Sequence, residues 1–108
     1  MTIRTADGLD VVLDEDHWQE HIIKHHPEVE AHRDLVLLAL QGPDAISRSK
    51  REPGTKVYTK AYNDILIGST LTDKITLRVY VRESSNFVVT AFFVAAAWRG
   101  VGEKIWPS

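Results

Sequence analysis

The spacing of apolar residues changes near Asp44 and divides the chain into a helical part and a sheet part. Before this point, apolar residues recur every three or four positions, which is typical of helices with one buried face. After it, polar and apolar residues alternate, which is typical of strands with one buried face. Helices followed by strands predict a single α+β domain over residues 1–108, with the helices on one face of an antiparallel sheet.

Two helices are predicted in the helical part. Asp14 or Asp16 can cap the first helix, which should end near His25 because a proline disfavours helical geometry in the preceding residue. Pro27 then supplies the first position of the second helix. Gly42-Pro43 ends that helix, since glycine and proline commonly follow a helix C-terminus. The two helices therefore meet at a sharp corner.

The strands are predicted mainly from alternation. Ile65–Thr70 is either a short strand or an insertion of small residues. Near the N-terminus, Ile3–Thr5 and Leu9–Val12 predict a short hairpin or an irregular lead-in. The four remaining predicted strands are Ala45–Ser49, Lys56–Tyr62, Ile75–Arg82 and Phe87–Ala95. These boundaries give a helical part over about residues 14–41, a sheet part over about 44–96 and a tail over 97–108.

Composition excludes several classes of chemistry. The chain has no cysteine, so disulfides, thiolate metal sites and cysteine nucleophiles are excluded. No apolar run approaches the roughly 18 residues of a membrane span. The first ten residues also lack the basic start and apolar stretch of a secretory signal. We therefore expect a cytoplasmic protein with no membrane partner.

Charge and histidine are both concentrated near the N-terminus. The net charge is −6 over residues 1–32, +4 over residues 33–108 and −2 for the whole chain. A net negative charge argues against nucleic-acid binding over the whole surface. All five histidines lie between positions 17 and 32. Such clustering of the side chain that titrates near neutral pH calls for an explanation.

A group of cationic and aromatic side chains is predicted to share the sheet face that the helices leave open. Alternation assigns Arg48, Tyr58, Lys60, Arg78 and Tyr80 to that exposed face, and Thr90 and Phe92 join them from the last strand. Cations, hydroxyls and aromatic rings together suit a phosphodiester with splayed bases. The alternative is that any half-exposed antiparallel sheet carries polar residues outward.

The histidines allow three interpretations. His17, His21 and His25 follow one another at intervals of four, which places them on one stripe of a helix. Two histidines at this spacing can chelate zinc, although no glutamate follows the first histidine as in zinc hydrolases. A solvated helix face is the second interpretation, which applies best to His17 and His32. The third is general acid–base catalysis by His21, His25 or His26 at the end of the first helix.

Several short motifs resemble one nuclease family. The segment His21-Ile22-Ile23-Lys24-His25-His26-Pro27-Glu28 resembles the H-I-x-x-R-H-P-E signature of the phage-associated members of the barnase–EndoU–colicin E5/D–RelE-like nuclease superfamily. The likeness spans about residues 17–106. Further matches follow in the same order, at Gly42-Pro43-Asp44, Tyr58-x-Lys60, Leu77-Arg78-Val79-Tyr80-Val81 and Val89-Thr90-Ala91-Phe92. The chain departs from the pattern at His25, where arginine is preferred, and at Asp64 to Asp73, which resembles an insertion.

The resemblance implies a metal-independent ribonuclease without a cofactor. It implies two N-terminal helices on a bent antiparallel sheet of about four strands, with the active site on the open face. The substrate would be RNA, either tRNA or mRNA, cleaved through a 2′,3′-cyclic phosphate. The protein would then be a toxin with an antitoxin or immunity protein as a partner.

Site roles combine the resemblance with the sheet-face pattern. The resemblance implies roles for His21, His26, Tyr58, Lys60 and Thr90, and the pattern adds the remaining residues. The predicted catalytic set is His21, His26, Lys60, Arg78 and Thr90. The predicted substrate-binding set is Arg48, Tyr58, Tyr80 and Phe92.

Two other functions remain open. The same fold could serve as a non-catalytic binding module for a protein or a nucleic acid. Its acidic N-terminal residues would then suit a basic partner, and they include Asp14, Glu15, Asp16 and Glu20. The third choice is a small metal-binding protein that uses the histidines at positions 17, 21 and 25.

Overall fold

The protein is α+β, as the change in apolar spacing predicts, and the residues that the structure describes form helices packed on a seven-stranded mixed sheet. The structure is a computed structural model that describes residues 1–95 and 101–107. The strands are β1 (Thr2–Arg4), β2 (Asp10–Val12), β3 (Ala45–Ser49), β4 (Thr55–Ile67), β5 (Thr70–Arg82), β6 (Phe87–Val94) and β7 (Val101–Trp106). They lie side by side in the order β1-β2-β6-β5-β4-β3-β7.

The first helix spans residues 15–25 and contains a π-helical segment. Asp14 is its N-cap, as one of the two predicted alternatives, and its carboxylate accepts a hydrogen bond from the backbone N–H of His17 at 2.9 Å. The α-helical turns Glu15–His17 and Ile23–His25 enclose the π-helix Trp18–Ile22. Both ends of the π-helix, Trp18 and Ile22, are buried in the core.

The second helix starts at Pro27, as predicted, because proline is compatible with a first helical turn. It begins as the 3-10 helix Pro27–His32 and continues as the α-helix Arg33–Gln41. Gly42 follows its last residue and donates a backbone hydrogen bond to Leu38 at 2.8 Å. No helix within the described ranges is long and apolar enough to cross a membrane.

The sheet has more than the four strands predicted because both ends of the chain join it. β1 and β2 form a hairpin, the first of the two predicted alternatives, and β2 then pairs in parallel with β6 at Val12 and Phe87. The sheet is therefore mixed instead of purely antiparallel. At the other edge, β7 pairs with β3 in a segment predicted as a tail. Gly102 permits this close approach, since a Cβ there would lie 2.7 Å from the backbone oxygen of Arg48.

The ambiguous segment around residue 65 belongs to a long hairpin of β4 and β5. Their pairing runs from Thr55 and Arg82 out to Ile67 and Thr70, and Gly68 turns the chain with a φ of 62°. The predicted insertion at residues 64–73 is the outer end of this hairpin. It extends past the last pairs that β4 and β5 make with β3 and β6.

The core lies between the helices and one side of the sheet, which we call the helix face. Its fully buried sheet residues include Ile46, Tyr58, Leu77, Val79 and Ala91. The opposite side, which we call the open face, carries Thr59, Arg78, Tyr80, Thr90 and Phe92. The two faces follow directly from alternation along paired strands.

Candidate functional site

The register of β4 and β5 places Tyr58 and Lys60 on the helix face, whereas the sequence predicts both on the open face. Tyr58 is paired with Val79, and Lys60 is paired with Leu77. Residues directly opposite each other in paired strands project to the same face. Because Val79 and Leu77 belong to the core, Tyr58 and Lys60 lie on the helix face. The prediction that both share the open face with Arg78 is therefore wrong.

Arg48 also lies on the helix face. It is paired with Lys56 in β4, two positions from Tyr58. Its guanidinium stays exposed and forms an ion pair with Glu83, with 3.3 Å between Nη1 and Oε1. The predicted binding role of Arg48 beside Tyr80 is wrong, since the sheet separates the two side chains.

Tyr58 belongs to a buried hydrogen-bond network around Asp7. The Tyr58 hydroxyl donates to Asp7 Oδ1 at 2.7 Å, and Lys56 Nζ donates to Asp7 Oδ2 at 2.7 Å. Thr5 donates to the same carboxylate at 2.6 Å. Burial alone raises the pKa of Asp7, but the hydrogen bonds from Lys56, Thr5 and Tyr58 outweigh it and hold that pKa below 3.8. These hydrogen bonds link the turn of the N-terminal hairpin, at Asp7, to β4.

Burial and the neighbouring charge of Asp7 also raise the pKa of Tyr58 far above its ordinary value. The phenol is fully buried, so it contacts no solvent and no external ligand. A substrate-binding role for Tyr58 is therefore wrong. Its place in the core explains why an aromatic ring stands at this position of β4.

Lys60 stabilises the end of the second helix. Its Nζ donates to the backbone oxygen of Gly42 at 2.8 Å and lies 3.9 Å from Asp44 Oδ1. A lysine at this place satisfies a carbonyl at the negative end of the helix dipole. The chemistry is that of a C-terminal cap, and the predicted phosphate clamp is not formed here.

Arg78 lies on the open face, as predicted, but it is not exposed. It is paired with Thr59 in β4 and Phe92 in β6, and only 5% of its surface is accessible. The expectation of an exposed phosphate ligand is therefore wrong. Arg78 is a packed cation beneath the surface, two residues from Tyr80 along β5.

Three predicted residues come together in a pocket of about 180 Å³ on the open face. Tyr80, Thr90 and Phe92 line it together with Val89. The remaining lining residues are Arg51 and Glu52 from the loop between β3 and β4, and Ser49 and Thr55 from the strand ends beside that loop. The pattern of the sequence does not predict these loop residues as part of a site, because their signal is only a pair of opposite charges beside a Pro-Gly turn.

His26 extends the aromatic surface of the pocket. Its ring stacks on Phe92 with 4.9 Å between ring centroids, and Phe92 stacks on Tyr80 with 5.3 Å between centroids. We call these three rings the aromatic stack. His26 is half-buried, and its Nδ1 lies 3.7 Å from Glu28 Oε1. The corner between the two helices therefore places this histidine against Phe92, one of the residues that line the pocket.

The histidine stripe on the first helix is confirmed. The His21 ring lies 4.7 Å from the rings of both His17 and His25, measured between centroids. Partial loss of solvent and the neighbouring charges of His17, His25 and His26 lower the pKa of His21. His21 does not line the pocket. No three His, Asp or Glu side chains of residues 1–95 and 101–107 are grouped so as to hold a metal ion.

The second interpretation of the histidines, a solvated helix face that applies best to His17 and His32, is wrong. His17 Nε2 lies 2.7 Å from the backbone oxygen of Val89, and His32 Nε2 lies 2.7 Å from that of Leu66. A carbonyl oxygen only accepts, so both rings donate and both carry their proton on Nε2. Each histidine therefore ties a helix to a strand.

A comparison of the chain with protein-family models, curated proteins and solved structures found no match. The pocket and the aromatic stack are therefore the features of the molecule that bear on its function.

Proposed function

We propose that this protein binds single-stranded RNA at the open-face pocket and cleaves it as a metal-independent ribonuclease. The aromatic stack supports the proposal most directly. Successive rings of His26, Phe92 and Tyr80 form a platform on which unpaired bases stack, whatever their sequence. Bases within a duplex are already stacked on one another, so the platform favours a single strand.

The polar groups of the pocket complement this platform. Thr90 and Ser49 provide hydroxyls, Glu52 provides an acceptor, and Arg51 provides an exposed cation. A base on Tyr80, at one end of the aromatic stack, can hydrogen-bond through its edge to the hydroxyls and the carboxylate. Its phosphate can approach Arg51, because guanidinium and phosphate form charge-assisted hydrogen bonds. The site therefore has partners for both parts of a nucleotide.

His26 is the proposed proton-transfer group. Its side chain is 32% exposed beside Phe92, its Nδ1 lies 3.7 Å from Glu28 Oε1, and an imidazole within reach of substrate can act as a general base. The ring removes the proton from a 2′-hydroxyl, whose oxygen attacks phosphorus. The bond from phosphorus to the 5′-oxygen breaks, water protonates the leaving oxygen, and the resulting hydroxide takes the proton back from His26. The product is a 2′,3′-cyclic phosphate.

A non-catalytic RNA-binding module is the second candidate. The observation in its favour is that Lys60 and Arg48 lie on the helix face, and Arg78 is buried. Cations that stabilise the charge of the transition state are usually a large part of catalysis. With Arg51 as the exposed cation of the pocket, binding without cleavage is a coherent alternative. If the chain does cleave, the family resemblance supports a cytoplasmic toxin held by an antitoxin or immunity protein.

The test uses single-stranded oligonucleotides, with and without EDTA. An RNA oligonucleotide should be cut to 2′,3′-cyclic phosphate products in both conditions, and its DNA counterpart should bind without being cut. His26→Gln should lower the cleavage rate by about 10²–10⁴-fold, and it should weaken binding only to the extent that one of the three rings of the aromatic stack is lost. His32→Gln is the matched control and should leave both unchanged, because His32 packs against Phe93 on the helix face.

Each other outcome has a definite meaning. Binding of RNA without cleavage supports the binding module. Cleavage that EDTA abolishes contradicts the metal-independent mechanism. An RNA that does not bind contradicts both candidates, since each depends on the aromatic stack.

A further inference from the structure

The last strand of the pocket contains a β-bulge. In the pairing of β5 with β6, Tyr80 lies opposite Thr90, while the next residue, Val81, lies opposite Val88. Val89 is therefore the extra residue, and two residues of β6 face one step of β5. Val89 and Thr90 both line the pocket. The bulge consequently sets how these two side chains are presented to a ligand.

The carbonyl of the bulged residue is held by the first helix. His17 Nε2 donates to the backbone oxygen of Val89 at 2.7 Å, across 72 positions of sequence. This outer edge of β6 pairs with β2 only at Phe87, so the ladder of β2 does not reach Val89. A carbonyl turned out of the ladder needs another donor, and His17 supplies it.

The His17 ring is itself fixed from two sides. It stacks on His21 at 4.7 Å and meets the edge of Phe87 at 5.0 Å, both measured between centroids. Phe87 is the residue at which β6 pairs with β2. The ring therefore links the first helix, the N-terminal hairpin and the bulge in one arrangement with little freedom.

We infer that His17 is a positioning residue, whose hydrogen bond to Val89 sets the bulge and thereby the pocket presented by Val89 and Thr90. The inference rests on the proposed function for the identity of the ligand. It adds a residue that lies outside the pocket. His17 touches no ligand in this arrangement and acts only through Val89.

Two substitutions of His17 separate its hydrogen bond from its packing. His17→Phe keeps a ring against Phe87 and His21 but removes the donor. His17→Gln removes the ring but keeps an N–H at a similar distance from Cα. The matched control is His32→Phe, which removes an equally short hydrogen bond to a backbone oxygen, that of Leu66, on the outer part of the long hairpin.

The first measurement does not depend on activity. Amide NMR spectra of His17→Phe should show large shifts at Val89, Thr90 and Tyr80, and His17→Gln should return them towards the wild-type positions. His32→Phe should leave these three amides unchanged. If His17→Phe fails to fold, His17→Asn replaces it, because the shorter amide does not reach the Val89 oxygen.

The second measurement uses the cleavage of a single-stranded RNA oligonucleotide. His17→Phe should lower kcat by about 10–100-fold, as a misplaced active-site group does, with little change in KM because the aromatic stack remains. His17→Gln should recover most of the lost kcat. His32→Phe should not lower it.

The outcomes distinguish this inference from the proposed function. Unshifted amides at Val89 and Thr90 in a folded His17→Phe protein overturn the positioning role, whatever the activity. Shifted amides in a protein that neither binds nor cleaves RNA uphold the positioning role and overturn the proposed function. An unchanged kcat with shifted amides shows that the bulge does not serve catalysis, which overturns the inference in its functional part.

Discussion

The two faces of the sheet carry similar polar side chains, but they differ in where those side chains find partners. On the helix face, Tyr58 and Lys56 both donate to Asp7, and Lys60 donates to a helix terminus. On the open face, no hydrogen bond joins the hydroxyl of Tyr80 or Thr90 to another described residue. A polar residue in an alternating strand therefore indicates a ligand site only when the fold leaves its side chain without an internal hydrogen-bond partner.

The strongest test of this comparison removes the acceptor of the helix-face network. Asp7→Ala leaves the Lys56 ammonium, whose side chain is 7% exposed, without its carboxylate. Removing one partner of a buried ion pair typically costs about 3–5 kcal/mol. We expect a loss of this size in the free energy of unfolding, measured by urea denaturation at neutral pH. RNA binding by the folded fraction should not change.

The control for Asp7→Ala is Asp10→Ala in the same hairpin. Asp10 forms an ion pair with Arg4 at 3.1 Å, and both side chains are about two-thirds exposed, at 65% and 67%. Exposed pairs contribute at most about 1 kcal/mol. Equal losses from the two substitutions would show that the Asp7 network adds nothing beyond a surface pair.

The sequence predicts the elements well because their signals are local. Asp14 caps the first helix and Pro27 starts the second, and both effects act within one helical turn. The face of Tyr58 could not be predicted in this way. Its neighbours in β4 mix polar and apolar residues on both sides, so alternation shows the period and not the direction. The direction follows from the pairing of Tyr58 with Val79 in β5, and the hydrogen-bond acceptor of its hydroxyl is Asp7, 51 positions away.

The same difference between local and distant signals explains which pocket residues the sequence predicts. The sequence predicts Tyr80 on the open face because every second residue of its strand is strongly apolar, which identifies the buried side. Thr90 and Phe92 follow from pairing with that strand. Arg51 and Glu52 were missed because a loop has no period. The pairing of β7 was missed because its partner, β3, lies about fifty residues earlier.

A second test of the helix-face network is its pH dependence. The pKa of Asp7 in the folded protein lies below 3.8, so the unfolded chain takes up this proton at a higher pH than the folded chain. The stabilisation is therefore complete above about pH 5 and is lost as pH falls through the folded pKa. Asp7→Asn should flatten this fall, measured as the free energy of unfolding from about pH 6 to pH 2.

Some acid sensitivity should remain in Asp7→Asn. The guanidinium of Arg33 lowers the pKa of Glu15 by hydrogen bonding, so that carboxylate acts in the same direction. Parallel curves for the wild type and Asp7→Asn would remove Asp7 as the main source of acid sensitivity.

A third test compares two adjacent phenylalanines on opposite faces. Phe92 lines the open-face pocket, whereas Phe93 packs against the core and the ring of His32. Loss of a base–aromatic stack costs about 1–3 kcal/mol of binding free energy. Phe92→Leu should therefore weaken the binding of a single-stranded RNA oligonucleotide by that amount, measured by fluorescence anisotropy. Phe93→Leu should lower thermal stability and leave the affinity unchanged.

The reverse pattern would contradict the assignment of RNA binding to the open face. If Phe93→Leu weakens RNA binding and Phe92→Leu does not, RNA contacts the molecule near the second helix. The aromatic stack would then be a packing feature of the open face.

The smallest expected effect is a difference in the salt dependence of RNA binding between variants of two exposed arginines, Arg48 and Arg51. Arg51 lines the pocket, whereas Arg48 lies on the helix face in an ion pair with Glu83. A side chain that neutralises one phosphate releases about one counterion on binding, which sets the slope of log Kd against log salt concentration. Arg51→Gln should therefore reduce that slope by about 1 and weaken binding modestly at low salt. Arg48→Gln should leave the slope unchanged, although it removes the same charge from the chain. Because both substitutions alter net charge equally, a general electrostatic effect predicts equal changes in slope. Only a phosphate held at the open face predicts a change in Arg51→Gln alone.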